Sequence, residues 1–351
     1  MSSVKDSDHA KPLLVVSGPT ASGKSALGMR LAHALHGAII SLDSVQCVRG
    51  FDVGSAKPSM AERELIPHYC IDSFPPEAVV TAQRLVEEVH RAVAASEQQG
   101  RRRPIVVGGS TMYLSALLEG LAEVPPVPEA LRLELSAIAT EALFAELARA
   151  DPELAARLSP QDRQRIERGV SVYRASGQPL SAFHKAHQAT RATRPAIIVV
   201  PVWPREVLYG RINERAAQMC AQGILDETRS LIERHGTGLH SLRTLGYAQC
   251  VRVLAGELSE TALKDQIAME TRRFAKRQLT YFKNEPMKRG WVVRPIPVKP
   301  RGAERDRTGF NRSQDLPGLE WTFSQLLEEL RAHHPQGVEV WFLKAERLFG
   351  A

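Results

Sequence analysis

The chain has little cysteine, no long uncharged stretch and no internal repeat. Its four cysteines among 351 residues, Cys47, Cys70, Cys220 and Cys250, are scattered, with no C-x-x-C pair among them. Such spacing suits neither a zinc site nor a disulfide framework, and it fits a reducing compartment. The opening residues, Met1-Ser2-Ser3-Val4-Lys5-Asp6, hold no apolar stretch of signal length, and no uncharged run is long enough to cross a bilayer. A soluble cytoplasmic protein with no membrane partner is expected.

At 43% hydrophobic and 24% charged residues, the composition is that of a globular protein. The length allows one large α/β core and a smaller second unit. A formal charge of +7 points to a polyanionic partner or simply to a basic enzyme. Clustering says more than the total. Arg272, Arg273, Lys276, Arg277, Lys283, Lys288 and Arg289 face a single acid, Glu285, within 272–289.

Three short apolar runs read as buried strands: Leu13–Val16, Ala38–Leu42 and Ile105–Val107. Helical patterns separate them, among them Val79, Ala82, Leu85, Val86, Val89 and Val93 on one face. Strands alternating with helices imply a parallel sheet with ligands at the carboxyl ends of its strands. Pro125-Pro126-Val127-Pro128 marks a stiff junction, after which Glu129 to about Lys185 reads as helix throughout. Ala196–Val202 restores a strand, and helices follow over 205–234 and 260–283. The expected fold is α/β: a P-loop NTPase-like parallel sheet flanked by helices, built from 11–124 and 195–294, with an all-helical insertion over 125–194. Residues 295–351 are rich in Pro, Arg and Gly, apart from a short helix around 323–333. They read as an extension of unknown role, dispensable for chemistry.

Gly18-Pro19-Thr20-Ala21-Ser22-Gly23-Lys24-Ser25 matches G-x-x-x-x-G-K-[ST] between a strand and a helix. The glycines let backbone N–H groups approach phosphate oxygens, Lys24 adds charge, and the Ser25 hydroxyl can ligate magnesium. The helix that starts there adds its positive dipole end. A diphosphate or nucleotide is the expected ligand. An ordinary NTPase would also end an apolar strand in an acidic metal ligand. Here the third strand ends in Gly108-Gly109, followed by Ser110 and Thr111. An acid does follow the second strand, Asp43, about 20 residues after the loop. It suits either an acceptor-facing carboxylate or a turn cap.

Beyond the phosphate loop, five further segments complete a pattern in the first half of the chain: Asp43-Ser44-Val45-Gln46, Asp52–Pro58, Pro67-His68-Tyr69, Asp72, and Val107–Ser110 with Tyr113. The second half adds Asp162–Ile166 with Arg168, Arg211-Ile212-Asn213 with Arg215, Gly246-Tyr247, and Thr271–Gln278. In order and spacing these motifs resemble the tRNA dimethylallyltransferases over roughly residues 11–292. Apart from the phosphate loop no single motif is specific; their joint order is. The resemblance implies that residues 18–25 hold the diphosphate of dimethylallyl diphosphate, with Mg²⁺ near Ser25 and Arg215 as a further clamp. It implies that Asp43 takes a proton from the 6-amino group of the adenosine beside the anticodon, with Thr20 nearby. Contacts to the tRNA anticodon stem-loop fall, by the same resemblance, on Asp43, Ser44, Val45, Gln46, Ser110 and Arg132. They continue on Gln164, Arg165, Ile166, Glu167 and Arg168, and on Arg243, Thr244, Leu245, Gly246, Tyr247 and Ala248. A monomer is expected.

The chain departs from the family pattern at Cys47, where tyrosine is common, and at Thr111, usually glycine or another small residue. Ser171 stands where glutamate is frequent, and Tyr281 where tryptophan is. Taken without the resemblance, Arg163, Arg165 and Arg168 would pass as a solvated helix face. Three other functions stay open: an adenylate isopentenyltransferase using a free nucleotide, a small-molecule P-loop kinase, and a non-catalytic RNA-binding protein with a relic loop. The helical insertion and the basic 272–289 segment favour tRNA over a mononucleotide, and intact Lys24, Ser25 and Asp43 argue for catalysis. The tail also lacks the Cys/His pattern of the zinc finger found in eukaryotic relatives, which points to a bacterial type.

Overall fold

The computed structural model describes residues 12–100, 103–294 and 319–349. Seven parallel strands form one sheet in the order β3-β2-β4-β1-β5-β7-β6. They are β1 (Leu13–Val16), β2 (Ile39–Ser41), β3 (His68–Tyr69), β4 (Ile105–Val107), β5 (Ala196–Val202), β6 (Val292–Arg294) and β7 (Val338–Lys344). Every residue of β1, β4 and β5 is buried, so these strands read as continuous apolar runs, as expected when helices cover both faces of a sheet.

The crossovers among the first four strands carry α1 (Lys24–Ala34), α2 (Met60–Leu65) and α3 (Ala82–Gln98), and α4 (Thr111–Glu119) follows β4. Contacts divide the chain into two units: Glu119–Thr193, and the residues before and after that segment. The smaller unit holds α5 (Glu129–Ser136), α6 (Thr140–Ala150), α7 (Pro152–Ala155), α8 (Arg163–Ser176) and α9 (Leu180–Thr190). Its own core gathers Leu135, Leu143, Leu147, Ile166 and Val170. In the larger unit, α10 (Arg205–Ala221), α11 (Ile224–His235), α12 (Tyr247–Leu254) and α13 (Glu260–Lys288) follow β5. The helical pattern expected over 205–234 is broken at Gly223, whose φ of 86° is left-handed.

The tail differs from its expected reading. α14 (Phe323–Ala332) agrees with the expected helix and opens on a capping box at Thr322. β7, however, lies inside the sheet, paired with β5 over all seven residues and with β6 on its other side. Trp341, Phe342 and Leu343 in it are fully buried, and α15 (Ala345–Phe349) ends the described chain. The segment expected to be an extension of the core therefore supplies a core strand of the sheet. The Pro, Arg and Gly content that suggested otherwise sits in 295–318, outside the described residues. No described helix is long and apolar enough to cross a membrane.

Candidate active site

Three loops leave the sheet at the carboxyl ends of neighbouring strands β2, β4 and β1. They carry Asp43, Gly109-Ser110 and the phosphate loop, and a cavity of about 700 Å³ opens among them. Its lining includes Thr20, Ala21, Gly23, Lys24 and Ser25 from the phosphate loop, Asp43 to Gln46, Ser110, Arg215, Thr244, Leu245 and Tyr247. It also includes Tyr113, Glu214, Phe274, Arg277 and Gln278.

The Gly-Gly ending of β4 has a steric reason. A Cβ on Gly108 would lie 2.5 Å from the Leu42 carbonyl oxygen, and one on Gly109 would lie 2.9 Å from Gln278 Nε2 and 3.4 Å from Lys24 Cε. Small residues at this strand end let the loops on either side converge, where an NTPase would place an acid. Gln278 exploits the close approach. Its Oε1 accepts from Thr20 N at 2.9 Å, while its Nε2 donates to the Gly109 carbonyl at 2.6 Å. One buried amide on α13 thus ties the phosphate loop to the β4 loop.

Lys24 Nζ donates to the Pro19 carbonyl at 2.6 Å, folded back onto its own loop. Burial first, and then the neighbouring Arg215 guanidinium, push its pKa down to about 7, against an opposing pull from Asp43. Arg215 is itself held below its usual value by burial. Two neighbouring cations make the local potential positive, which favours an anion such as diphosphate there.

Asp43 does two things at once. Its Oδ1 accepts from Val45 N at 2.8 Å and from Gln46 N at 3.2 Å, so it caps the turn after β2 while lining the cavity. Gln46 Oε1 accepts from the Ser41 hydroxyl at 2.7 Å, and its Nε2 donates to the Ser55 and Ala56 carbonyls. Gly54 N meets the Tyr247 hydroxyl at 3.1 Å, and that hydroxyl donates to Glu227 at 2.6 Å. The Glu227 carboxylate also accepts from Asp52 N and Val53 N.

The residues expected at the tRNA differ in their exposure. Tyr247 is fully buried with its hydroxyl occupied, and Gly246 is buried beside it. Ile166 is likewise sealed in the core of the smaller unit. In this structure the side chains of Tyr247 and Ile166 pack inward and support neighbouring loops. Arg243 is exposed, whereas neither it nor Ala248 lines the cavity. In the smaller unit Gln164, Arg165 and Arg168 are exposed, Glu167 pairs with Arg163 at 3.3 Å, and Arg165 pairs with Asp162 at 3.1 Å. Although its surface is exposed, Arg168 is held below its usual value by partial desolvation and, secondly, by the nearby Arg132 charge. Arg163 leaves the solvated face expected of it: it donates to the Leu135 carbonyl at 2.6 Å and the Ser136 carbonyl at 3.2 Å, capping α5.

Among the departures, Tyr281 turns its hydroxyl to Ser115 at 2.6 Å, Ser171 donates to the Arg168 carbonyl, and Cys47 joins the main core. Tyr113 and Phe274 are lining residues that sequence reasoning did not assign; the motif segments around both were its available signal.

Among the described residues no group of three or more His, Cys, Asp or Glu side chains is placed to hold a metal ion. Ser25 and Asp43 line the cavity beside the loop, with Glu214 as a further carboxylate. That sparse oxygen set fits Mg²⁺, which takes most of its ligands from substrate phosphates and water.

The IPP transferase family model matches residues 46–285. A tRNA dimethylallyltransferase from Myxococcus xanthus is 42% identical over 79% of this chain and 91% of its own. Among solved structures, a tRNA delta(2)-isopentenylpyrophosphate transferase from Staphylococcus epidermidis is 34% identical, with a TM-score of 0.53, over 78% of this chain and 91% of that one. A eukaryotic dimethylallyltransferase acting on tRNA shares the fold, with a TM-score of 0.67 at 23% identity, over 80% of this chain and 72% of that one.

Proposed function

The chain belongs to the IPP transferase family, and we propose that it transfers a dimethylallyl group from dimethylallyl diphosphate to the 6-amino group of the adenosine 3′-adjacent to the anticodon of tRNA. The observation that carries this reading is the shared cavity. It joins a phosphate-binding loop and Arg215 to a carboxylate and polar side chains on the next loops.

The adenine nitrogen bonds to the first prenyl carbon as the carbon–oxygen bond to diphosphate breaks. The electron pair leaves with the diphosphate, and the amine proton passes to Asp43. The exocyclic nitrogen is a poor nucleophile because its lone pair is delocalised into the ring, so positioning contributes as much as base catalysis. Lys24, Arg215 and the loop N–H groups meet the charge that grows on the leaving group. The Ser25 hydroxyl would hold Mg²⁺, which would add to that charge neutralisation. The target base must leave its stack to enter the cavity, and Ser44, Gln46, Ser110 and Thr244 line its way in. Arg132, Gln164, Arg165 and Arg168 supply a polar and basic surface for the tRNA backbone.

Incubation with labelled dimethylallyl diphosphate and either bulk tRNA or AMP tests the reading. Label in tRNA with release of diphosphate is expected. Label in AMP alone would replace it with the free-nucleotide reaction, and phosphate transfer from ATP would replace it with a kinase.

A further inference from the structure

The phosphate loop is braced by Trp203 and Phe349, which do not line the cavity, and by Arg211, which does. Since β1, β5 and β7 run parallel, the chain leaves all three at the same edge of the sheet. The phosphate loop follows β1, Trp203 comes directly after β5, and α15 directly after β7. Phe349 of α15 stacks on Trp203, with ring centroids 6.1 Å apart and planes 4° from parallel. Trp203 Nε1 donates to the Ser22 carbonyl at 3.0 Å. On the same indole, at 4.8 Å, lies Arg211, whose Nε donates to the Ala21 carbonyl at 2.9 Å. The Phe349 ring covers Gly23 so closely that a Cβ there would meet its Cζ at 2.8 Å. Arg30 of α1 ties the same helix down by donating to the Leu348 carbonyl.

Two of the braced residues, Ala21 (φ 61°) and Gly23 (φ 88°), are left-handed. A non-glycine residue keeps that conformation only when its surroundings impose it. An anion site of backbone N–H groups binds tightly only if those groups already point at the ligand. We propose that Phe349 and Trp203 are positioning residues for the donor, holding the phosphate loop in its diphosphate-binding shape from the far end of the chain. The inference rests on the reading that this loop binds the donor diphosphate. It also assigns a part to a segment beyond residues 46–285, where the family model ends.

The test uses the full chain, calorimetry with inorganic diphosphate, and steady-state kinetics with both substrates. In Phe349→Ala, diphosphate affinity should fall and KM for dimethylallyl diphosphate should rise, each by about tenfold, the upper scale for loss of an aromatic pair. KM for tRNA should stay within about twofold. Phe349→Tyr, which keeps the stack, should recover most of the loss. Trp203→Phe, which keeps a ring but removes the N–H bonded to Ser22, should fall between. Unchanged diphosphate affinity in folded Phe349→Ala overturns the proposal, as does an equal loss towards both substrates. If Phe349→Ala does not fold, Trp203→Phe decides, and unchanged diphosphate affinity there overturns it. Failure of the wild-type chain to bind diphosphate overturns the donor reading itself, whereas wild-type binding with unaffected variants overturns this inference alone.

Discussion

The donor and acceptor halves of the cavity are built in different ways. The phosphate loop is gripped by Gln278, Arg211 and Trp203, which lie 258, 190 and 181 residues from the loop residues they bond. On the acceptor side, Asp43 caps amides two and three residues on, and Gln46 bridges Ser41 to Ser55 and Ala56 five to ten residues away. Glu227 and Tyr247 supply its long-range anchor. A diphosphate is a small, highly charged ligand, and preorganised surroundings suit it. A base that must enter from a folded RNA is met by short loops that support one another.

The largest break in this comparison would come from the tail. Truncation at Pro295 removes β7 from between β5 and β6, with Trp341 and Phe342 fully buried in it. Loss of a buried aromatic side chain costs about 3–5 kcal/mol, against a total stability of about 5–15 kcal/mol. The truncated chain should therefore fail to fold, as read by circular dichroism and thermal melting; a folded, active product would return the tail to a dispensable extension.

Next in size is the acceptor base. Asp43→Ala should slow single-turnover transfer from pre-bound tRNA by about 10²–10⁴-fold, with diphosphate binding near normal. Because Asp43 also caps its turn, Asp43→Asn sharpens the comparison: an amide oxygen still serves Val45 N and Gln46 N but takes no proton. Full recovery in Asp43→Asn would reduce the residue to a cap, while an equally slow variant assigns it as the base.

The donor half carries a pH signature. With burial and Arg215 pushing the Lys24 pKa down to about 7, its ammonium predominates well below pH 7 and is lost as pH rises through that value. A bound diphosphate raises the pKa again, so binding above pH 7 must take up a proton. Donor affinity should then be highest below pH 7 and fall by up to about tenfold per unit above it. Titration of dimethylallyl diphosphate between pH 6 and 9 checks this; an affinity independent of pH would show that Lys24 stays charged throughout.

The smallest effect concerns salt. Lys276 and Arg277 are exposed on α13, and Arg277 also lines the cavity. If both meet tRNA phosphates, replacing them with alanine should flatten the dependence of tRNA affinity on log salt by about one unit each. An unchanged slope would leave them outside the tRNA footprint.

Much of the fold and site is legible in the linear chain wherever the cause is local. The phosphate loop shows itself because its work is done by consecutive backbone N–H groups. The first strands show themselves because burial on both faces demands unbroken apolar runs. Asp43 is visible as a carboxylate after a strand, although its dual service as cap and cavity wall is not. β7 escaped because a flanking segment rich in Pro, Arg and Gly masked a short apolar run whose neighbours, β5 and β6, are distant or separated by that segment.

The sequence by itself determined that a phosphate-binding loop opens a parallel α/β sheet, that a helical block interrupts it, and which family's motifs the chain carries. Each of these depends on residues adjacent in the chain or ordered along it. Only the tertiary structure decided that Tyr247 and Ile166 are buried, that Arg163 turns inward, that Gln278 clamps two loops, and that the end of the chain packs behind its beginning. Those outcomes depend on which surfaces meet across more than a hundred residues, where burial and hydrogen-bond partners are settled by packing rather than by neighbours along the backbone.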